Sequence, residues 1–499
     1  MFQLRRTVYL DNNATTPVSK SVQKRMAQVL AHCYGNPSSL YQDARDAAMV
    51  LQESRETVAR AINADPAEIT FTGSATEANN NVLVCLAEHF AGKRGKIVSL
   101  PTEHASVLGT LDYLKTRGVA VEYCPVDDMG FARLDELEKL VDENTFLVCC
   151  MLANNETGVL QDVARVCELA HRKGALVLSD CVQALGKVPL DVGSLGIDYA
   201  TYSAHKVHGP KGAGALYVKN GAPHLPFIHG GHQESGLRAG TESLHNIAGL
   251  ACAFEDVPCL LKHAATIQGL RDRLVAGLRN IKPDIAVNSP EQRCLPNTAS
   301  VTFPGIANAV LMAELDYYGI AVSAGSACNT QSDEPSHVLA AIGLTPDQAR
   351  QTVRFSLSDR TTARDVRYAL RAVANIVSGK SPAIAMISPA QLDQKILFDP
   401  STYILDVRFW YDRLAVKGLP GAHESSFPFI SRYVGKLPRD RNILVVCQAG
   451  ANAPMVAYYL RSKGFRRLSF LMAGMVGWKA ARPDLYLAYA GRDIAVITP

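Results

Sequence analysis

Two short stretches decide the fold: "ALVLSD" (175–180) and "YATYSAHKVHGPKG" (199–212). Each begins as a short apolar run bounded by polar residues, which is typical of a buried strand. The first run ends at Asp180, and the second is followed at once by Lys206. Because ligands of parallel sheets bind outside the carboxyl ends of the strands, these two side chains are expected at one site.

Similar runs alternate with helix-like segments from about residue 20 to 260. The apolar runs include "KIVSL" (96–100) and "FLVCCML" (146–152), and helical patterns such as "ARVCELAHRKG" (164–174) end at glycine, a common helix terminator. This alternation predicts an α/β fold with a mostly parallel sheet that helices cover on both faces.

Changes in composition divide the rest of the chain. Long helical patterns around "TASVTFPG" (298–305) and "TVRFSLS" (352–358) predict a smaller α+β unit. The Gly, Ser and Pro residues of "SGKSPAIAMISPA" (378–390) then indicate a linker, after which strand and helix patterns alternate afresh. We therefore assign residues 1–380 to one part of the chain, 381–395 to a linker and 396–499 to a separate α/β domain.

Composition excludes several classes of protein. The 499 residues are 47% hydrophobic and 20% charged, with a net charge of +4, so no direct binding of nucleic acid is expected. No apolar run is long enough for a membrane span, and the amino terminus does not resemble a signal peptide. Twelve cysteines without a C-x-x-C pair argue against a zinc cage and a disulfide framework, which favours the cytoplasm. The histidines of "HGGH" (229–232) have no evident third ligand, so no metal site is predicted.

A lysine and an aspartate at neighbouring strand ends can hold opposite ends of one flat cofactor. Pyridoxal phosphate requires a lysine for its Schiff base and an acid that keeps the ring nitrogen protonated. Lys206 and Asp180 suit these roles, whereas Lys211, in "GPKG", has the setting of a turn. The alternative is an ordinary surface lysine and a helix-capping aspartate.

Further motifs favour the cofactor site. "GSATEANN" (73–80) opens a helix with small residues, and the free N–H groups of a helix N-terminus suit a phosphate, although Ser and Thr are also routine caps. His104 follows the strand-like "KIVSLP", and "NNETG" (154–158) lies at another strand end. Gln183 comes three residues after Asp180.

One cysteine lies in a stretch typical of a loop. "SAGSACNTQSDEPS" (323–336) places Cys328 among Ser, Gly, Asn and Asp, with almost no apolar neighbours. Surface loops often carry function, and the thiolate of a cysteine is a nucleophile. The alternative is a neutral small residue in a loop.

These motifs together resemble the cysteine desulfurases of the class V aminotransferase family. Further matching stretches are "YLDNNATTP" (9–17), "GNPSS" (35–39), "RAGT" (238–241) and "RFSLS" (354–358), all in family order. The resemblance implies a homodimeric, pyridoxal phosphate-dependent fold-type I enzyme with a mainly parallel seven-stranded sheet. It also implies a large domain of about 15–260 and a small domain of 1–14 plus 261–380.

The resemblance also assigns roles to individual residues. Lys206 would form the Schiff base, Asp180 would bind the pyridine nitrogen, and His104 would stack on the ring and move protons. Gln183 and Asn155 would contact the hydroxyl side of the ring. The phosphate would be bound by Ala75, Thr76, Ser203 and His205 and, from the other subunit, by Thr241. Substrate contacts are implied for Arg354, as the carboxylate clamp, and for Asn155 and Asn13.

The implied reaction converts L-cysteine to L-alanine and leaves its sulfur as a persulfide on Cys328. The persulfide would pass to acceptor proteins that serve iron–sulfur cluster assembly or the thiolation of tRNA or cofactors. Two alternatives stay open: a selenocysteine lyase or another class V enzyme, and a non-enzymatic sulfur-trafficking adaptor without a cofactor.

The tail carries a second candidate sulfur site. A strand-like "NILVV" leads into "CQAGANA" (447–453), which places Cys447 near a helix N-terminus, where N–H groups lower the pKa of a thiol. With "YILDVR" (403–408), "GLPGA" (418–422) and "MAGMVGW" (472–478), the order resembles a rhodanese domain over about 396–485.

The tail also departs from the rhodanese pattern. Asn452 occupies the place of the usual loop arginine, residues 447–453 carry no charge, and "GLPGA" lacks the usual preceding histidine. These departures predict weak binding of thiosulfate, while acceptance of sulfur from the Cys328 persulfide, a relay helped by the tether between the domains, remains open. The alternative is an inactive domain that only binds a partner.

Overall fold

The structure is a computed structural model that describes residues 7–325, 336–381 and 384–491. The strands are β1 (Val8–Tyr9), β2 (Ile69–Thr72), β3 (Lys96–Ser99), β4 (Ala120–Tyr123), β5 (Thr145–Cys149), β6 (Leu176–Asp180), β7 (Tyr199–Ser203), β8 (Gly214–Val218), β9 (Ala286–Val287), β10 (Thr298–Thr302), β11 (Ile320–Ala321), β12 (Thr352–Ser356), β13 (Ala385–Ile387), β14 (Thr402–Asp406), β15 (His423–Glu424), β16 (Asn442–Val446) and β17 (Leu468–Leu471).

The α-helices are α1 (Lys20–His32), α2 (Gln42–Ile62), α3 (Ala75–His89), α4 (Ala105–Lys115), α5 (Leu134–Leu140), α6 (Val163–Arg172), α7 (Val192–Leu195), α8 (Leu244–Glu255), α9 (Val257–Lys262), α10 (Ala264–Ile281), α11 (Asn308–Tyr317), α12 (His337–Ala341), α13 (Pro346–Ala349), α14 (Ala363–Val377), α15 (Gln394–Leu397), α16 (Trp410–Ala415), α17 (Ile430–Tyr433), α18 (Asn452–Ser462), α19 (Gly474–Ala481) and α20 (Pro483–Tyr489). Within the described residues, no helix combines the length and the apolar character needed to cross a bilayer.

A seven-stranded sheet forms the centre of the first part of the chain. Its strand order is β2-β8-β7-β6-β5-β3-β4, and β8 alone runs antiparallel to its neighbours. Every residue of β5 and β7 is buried, as expected of strands that are covered on both faces. The predicted mainly parallel seven-stranded sheet is confirmed.

The sheet brings the two decisive stretches to one edge. Strands β6 and β7 are parallel neighbours, with Asp180 opposite Thr201. A single 3-10 turn, Ala204–Lys206, follows the end of β7. Asp180 and Lys206 therefore lie at the carboxyl edge of the sheet, where the sequence predicts a ligand.

A smaller α+β unit packs beside the large sheet. Strands β9, β10 and β12 form an antiparallel sheet, and β1 pairs with β11. Helices α10 and α14 cover it, and its buried core includes Leu274, Val301 and Phe355. Val8 and Leu10, from the start of the chain, belong to the same core.

The C-terminal unit, defined here as residues 384–491, has a five-stranded parallel sheet in the order β13-β17-β16-β14-β15. The proposed linker 381–395 needs correction, because Ala385–Ile387 pairs with Ser469–Leu471 as the edge strand β13. Ile384 is buried in the core of the unit. The sequence prediction missed this strand because the short apolar run is flanked by Gly, Ser and Pro residues, which are typical of a linker. The run forms a strand because it pairs with the edge of β17.

The C-terminal unit is docked on the smaller α+β unit through α18 and α11. Ala313 of α11 is buried in the apolar core that also contains residues of α18. The hydroxyl of Tyr458 donates a buried hydrogen bond to Oε1 of Glu314, at 2.7 Å, and the rings of Tyr317 and Tyr458 meet edge to face at 6.1 Å. Helix α11 therefore belongs to both units, and the carboxyl end of α11 leads towards the stretch that contains Cys328.

Candidate active site

The amine of Lys206 faces a backbone turn near the start of the chain. Its Nζ donates hydrogen bonds to the carbonyl oxygens of Asn13 at 2.7 Å and Ala14 at 2.9 Å. The N–H of Thr16 in turn donates to the carbonyl of His205, at 2.9 Å. The "DNNATT" motif therefore crosses the carboxyl edge of the sheet and forms one wall of the site.

Asp180 is a buried carboxylate with polar support. Its Oδ1 accepts the N–H of Val182 at 3.0 Å, and its Oδ2 accepts a bond from the amide of Asn79 at 3.3 Å. Asn79 is itself fixed by Thr201 and Ser106, at 2.9 Å each. The sequence prediction missed Asn79, although it lies within the quoted "GSATEANN", because its partner is 101 residues away.

His104 caps helix α4 and lies near both charged groups of the site. Its Nδ1 accepts the N–H of Ser106 at 3.1 Å, so the neutral ring carries its proton on Nε2. Burial lowers the pKa of His104, as do the charges of Lys206 and His337, although Asp180 opposes them. The ring is therefore neutral near pH 7 and presents an N–H donor.

Three polar side chains join the lysine to the rest of the site. Asn13 donates to Thr298 at 2.8 Å and to the carbonyl of Asn155 at 3.1 Å, and Gln183 donates to the carbonyl of Asn13 at 3.0 Å. Lys187 donates to Gln183 and to Asn13. Burial, followed by the charges of Lys206 and Arg354, holds the pKa of Lys187 well below its usual value. The sequence prediction missed Lys187, although it lies only four residues after Gln183.

Arg354 carries a buried guanidinium group that is bonded on both sides of the site. Its Nη2 bonds Asp11 at 2.8 Å and its Nη1 bonds the carbonyl of Asn155 at 2.9 Å. Its Nε is buried and has no partner among the residues that the structure describes. An unpartnered buried donor is unfavourable, so an anionic group that reaches it would be bound tightly.

The residues predicted to hold a phosphate lie around the start of α3. Ala75 and Thr76 are its first two residues, after the cap Ser74. A Cβ on Gly214 would lie 2.7 Å from the carbonyl carbon of Ser74, so only glycine allows β8 to approach this turn. Ser203 is buried at the end of β7.

Two further residues of the predicted phosphate site differ in their surroundings. Burial, followed by the charges of Lys206 and Lys211, lowers the pKa of His205 to about 4, so this ring is neutral at pH 7. Thr241 is exposed and lines a surface pocket together with Gly73 and Arg238. Among the described residues, no three His, Cys, Asp or Glu side chains converge as a metal site would require.

Cys328 lies outside the described residues, but the residues on either side of that gap are at the site. Oε2 of Glu156 accepts a hydrogen bond from Ser336 at 2.6 Å, and a Cβ on Gly325 would lie 2.6 Å from the same oxygen. Ser323 and Arg354 exchange two backbone hydrogen bonds. Glu156, another residue that the sequence prediction missed, therefore bonds Ser336 and lies close against Gly325, next to Asn155.

Comparison with known proteins assigns the first part of the chain. Residues 8–368 match the family model described as aminotransferase class V. The chain is 36% identical to the cysteine desulfurase IscS of Dictyoglomus turgidum over 394 residues, which cover 79% of this chain and 99% of that protein. The chain belongs to the cysteine desulfurase family of class V aminotransferases. A cysteine desulfurase of Sinorhizobium fredii is 41% identical, over 74% of this chain and 97% of that protein.

Solved structures of this family share the fold. A structure titled NifS-like protein is 42% identical, with a TM-score of 0.71, and covers 75% of this chain and 100% of that one. A structure titled SspA in complex with cysteine is 32% identical, with a TM-score of 0.63, and covers 71% of this chain and 100% of that one. The predicted fold-type I architecture is thereby confirmed.

Cysteine desulfurases depend on pyridoxal phosphate, and the residues present fit this cofactor. Lys206 supplies the amine, and the buried carboxylate of Asp180 lies at the neighbouring strand end. The turn at Ser74, which Gly214 approaches closely, offers the N–H groups of a helix start to a phosphate. Bound pyridoxal phosphate withdraws electrons from the α carbon of an amino acid.

The tail matches a second family model, since residues 388–481 match the model described as rhodanese-like domain. Cys447 follows β16, and its Sγ accepts the N–H groups of Gly450 at 3.2 Å and Ala453 at 3.3 Å. Burial raises the pKa of Cys447, and the N–H groups of Ala453, Gly450 and Asn452 oppose this only in part. The prediction of a lowered pKa is therefore wrong, because the thiol is only 2% exposed.

The loop around Cys447 contains dipoles but no free positive charge. Gly450 has a φ of +96°, and a Cβ there would lie 2.7 Å from the backbone nitrogen of Ala473, so this tight turn requires glycine. The buried guanidinium of Arg408 donates to Gln448 at 3.1 Å, but Asp406 neutralises it through a 2.7 Å ion pair. Among the described residues, the hydrogen bonds to this sulfur therefore come from backbone N–H groups.

Proposed function

We propose that the chain converts L-cysteine to L-alanine and leaves the sulfur as a persulfide on Cys328. The observation that carries this proposal is the convergence of Lys206, Asp180 and Arg354 with the two ends of the Cys328 segment. The relatives are cysteine desulfurases, and one structural relative is titled as a complex with cysteine. The same fold could serve a transaminase, but that chemistry requires no cysteine at this place.

The residues divide the work of the reaction. Arg354, with its free Nε–H, binds the substrate carboxylate beside Asn155 and Asn13. Lys206 accepts and returns protons at its Nζ, and neutral His104 donates from Nε2. The thiolate of Cys328 attacks the substrate sulfur, so that an S–S bond forms as the carbon–sulfur bond breaks. The bonding pair stays on carbon, which takes up a proton and leaves as alanine.

A relay to Cys447 is the second step of the proposal. The docked helices α11 and α18 support it, because α11 leads to the Cys328 segment and α18 begins beside the Cys447 loop. A docked domain replaces the flexible tether that the sequence suggested, so the geometry of the interface would set the transfer rate. Because the loop has no free cation, thiosulfate, a dianion, is a poor substrate.

The oligomer and the partners complete the proposal. Helices α1 and α2 and the segment between them expose large apolar side chains, namely Leu30, Tyr34, Tyr41 and Met49, and such a patch supports a homodimer. Thr241, exposed near the start of α3, would contact the phosphate bound by the other subunit. The acceptors would be cytoplasmic proteins that build iron–sulfur clusters or thiolate tRNA or cofactors.

The activity is tested by measuring alanine and sulfide released from L-cysteine by the purified enzyme in the presence of a reductant. Both products should form, and Cys328→Ser should abolish sulfide release while the cofactor absorbance remains. Lys206→Ala should remove the characteristic cofactor absorbance. Full activity of the Cys328→Ser variant would disprove the assigned role, and selenide release from selenocysteine without sulfide release from cysteine would favour a selenocysteine lyase.

The relay is tested separately with Cys447→Ser and 35S-labelled cysteine. The variant should still form alanine at the normal rate but should deliver label to an added acceptor protein more slowly. Mass spectrometry of the wild-type chain should find sulfur on the peptide that contains residue 447. If the variant delivers label to the acceptor as fast as the wild-type chain does, the relay is disproved and the C-terminal unit only binds a partner.

A further inference from the structure

The carboxyl edge of the C-terminal sheet carries exposed apolar side chains. All five strands are parallel, so the segments that follow them emerge at the same edge as Cys447. Several large apolar side chains on these segments are exposed, and we call five of them, each at least 40% exposed, the collar: Trp410, Tyr411, Leu414, Phe429 and Val476. Trp410 at 67% and Leu414 at 78% are exposed far more than large apolar residues usually are.

Hydrogen bonds tie the collar segments to the cysteine loop. The N–H of Val476 donates to the carbonyl of Gln448, the residue after Cys447, at 3.0 Å. Arg408, two residues before α16, donates to the side chain of Gln448 at 3.1 Å. Ser426, in the turn that leads to Phe429, donates to the carbonyl of Arg408 at 3.1 Å. These bonds tie Val476 directly to the loop of Cys447 and tie the segments that carry the other collar residues to the same loop.

The C-terminal unit that carries the collar is positively charged as a whole. Residues 384–499 contain fifteen Lys and Arg against eight Asp and Glu, a net charge of +7, whereas residues 1–383 contain thirty-six against thirty-nine, a net charge of −3. Lys417 is exposed just after α16, and Arg432 lies 5.4 Å from the ring of Phe429. Two acidic residues also lie here, Asp412 and Glu424, and Glu424 is paired with an arginine.

We infer that the collar is the docking surface for the protein that takes sulfur from Cys447, and that this acceptor presents apolar side chains ringed by carboxylates. The inference rests on the proposed role of Cys447 as a sulfur carrier. The apolar centre favours a protein partner, and the acidic residues interrupt the continuous positive groove that a nucleic acid requires. The thiolate of the acceptor attacks the outer sulfur of the Cys447 persulfide, a new S–S bond replaces the old one, and the Cys447 thiolate leaves.

The test bypasses the desulfurase reaction, so that failure of the relay and failure of the docking surface give different results. The full-length Cys328→Ser chain is loaded with glutathione persulfide, which transfers its outer sulfur to Cys447 and leaves glutathione. Loading is checked by mass spectrometry of the peptide with residue 447. Three pentapeptides with a central cysteine then serve as acceptors. The first has a leucine on each side of the cysteine and a glutamate at each end. The second has lysines in place of the glutamates, and the third has serines in place of the leucines.

The peptide with leucines and glutamates should accept sulfur fastest, and added salt should slow it. Leu414→Ala or Trp410→Ala should raise its half-saturating concentration about tenfold, whereas Met386→Ala, at another exposed apolar position, on the edge strand β13, should not. Equal rates for the three peptides, or a preference for lysines, would overturn the inference. Inhibition by polyuridylate at matched charge, without inhibition by polyglutamate, would instead assign the surface to nucleic acid.

Discussion

Replacing Tyr458 with phenylalanine tests whether the C-terminal unit is truly docked on the smaller α+β unit. The Tyr458 hydroxyl bonds Oε1 of Glu314 at 2.7 Å, and Tyr458 is 3% exposed. Oε2 of Glu314 is already buried without a partner among the described residues. The substitution therefore leaves a buried carboxylate with neither oxygen bonded across the interface.

The expected loss is about 2 kcal/mol of stability in the C-terminal unit, because a hydrogen bond to a charged group contributes about 1.5–3 kcal/mol. Intrinsic tryptophan fluorescence during a urea titration measures this loss selectively. The chain has only two tryptophans, Trp410 and Trp478, and both lie in the C-terminal unit. Trp478 is fully buried, with its Nε1 bonded to the carbonyl of Leu392 at 3.2 Å, so its emission reports the packing of that unit.

A neighbouring residue supplies the control. Tyr459 is on the same helix and only partly buried, and its ring packs against Lys463, so Tyr459→Phe should change the urea midpoint little. Glu314→Gln keeps an acceptor and removes the charge, and the double substitution with Tyr458→Phe should therefore be less destabilising than the sum of the two single changes. A loss below about 0.5 kcal/mol for Tyr458→Phe would refute the docked geometry, because that is the size of effect expected at an ordinary surface site.

Three other perturbations follow from the geometry. Burial raises the pKa of Glu103 to about 8, above its ordinary 4.5. Between these pH values the folded state binds one more proton than the unfolded state, so the free energy of unfolding falls as pH rises, by at most about 1.4 kcal/mol per pH unit. Glu103→Gln should remove that fall in thermal unfolding followed by circular dichroism. Gly450→Ala should destabilise the C-terminal unit by about 2 kcal/mol in tryptophan fluorescence, whereas Gly435→Ala, with open space around it, should not. Arg354→Lys should raise the KM for cysteine about tenfold or more in the sulfide assay, and an effect confined to kcat would contradict the carboxylate role.

The sequence predicted the parts of the molecule that depend on local patterns. Short buried runs alternating with amphipathic helices indicated the mainly parallel sheet, and the residues at the ends of its strands indicated Asp180 and Lys206. Both depend on periodicity and on the general placement of ligands at strand ends. The assignment of pyridoxal phosphate and of Arg354 required more, namely the ordered set of family motifs.

The remaining features depend on contacts that are distant in sequence. Asn79 supports Asp180 across 101 residues, and Glu156 meets Ser336 across 180, so no local pattern reveals either pair. The strand β13 is three residues long and stands beside Gly, Ser and Pro residues, which made it look like part of a linker. The pKa of Cys447 was misjudged because the helix start is visible in the sequence, whereas the depth of burial is not.

The shared helix α11 has a consequence for how sulfur is distributed. Because one chain carries both Cys328 and Cys447, the proposed sulfur-generating and sulfur-carrying cysteines occur in a fixed one-to-one ratio, and the contact with α11 keeps their units together whatever the concentration of the protein. Dilution cannot separate the two thiols, and a second donor cannot readily displace the first. Under the proposed relay, persulfide sulfur would pass from thiol to thiol and reach an acceptor without ever being released into the surrounding water as sulfide.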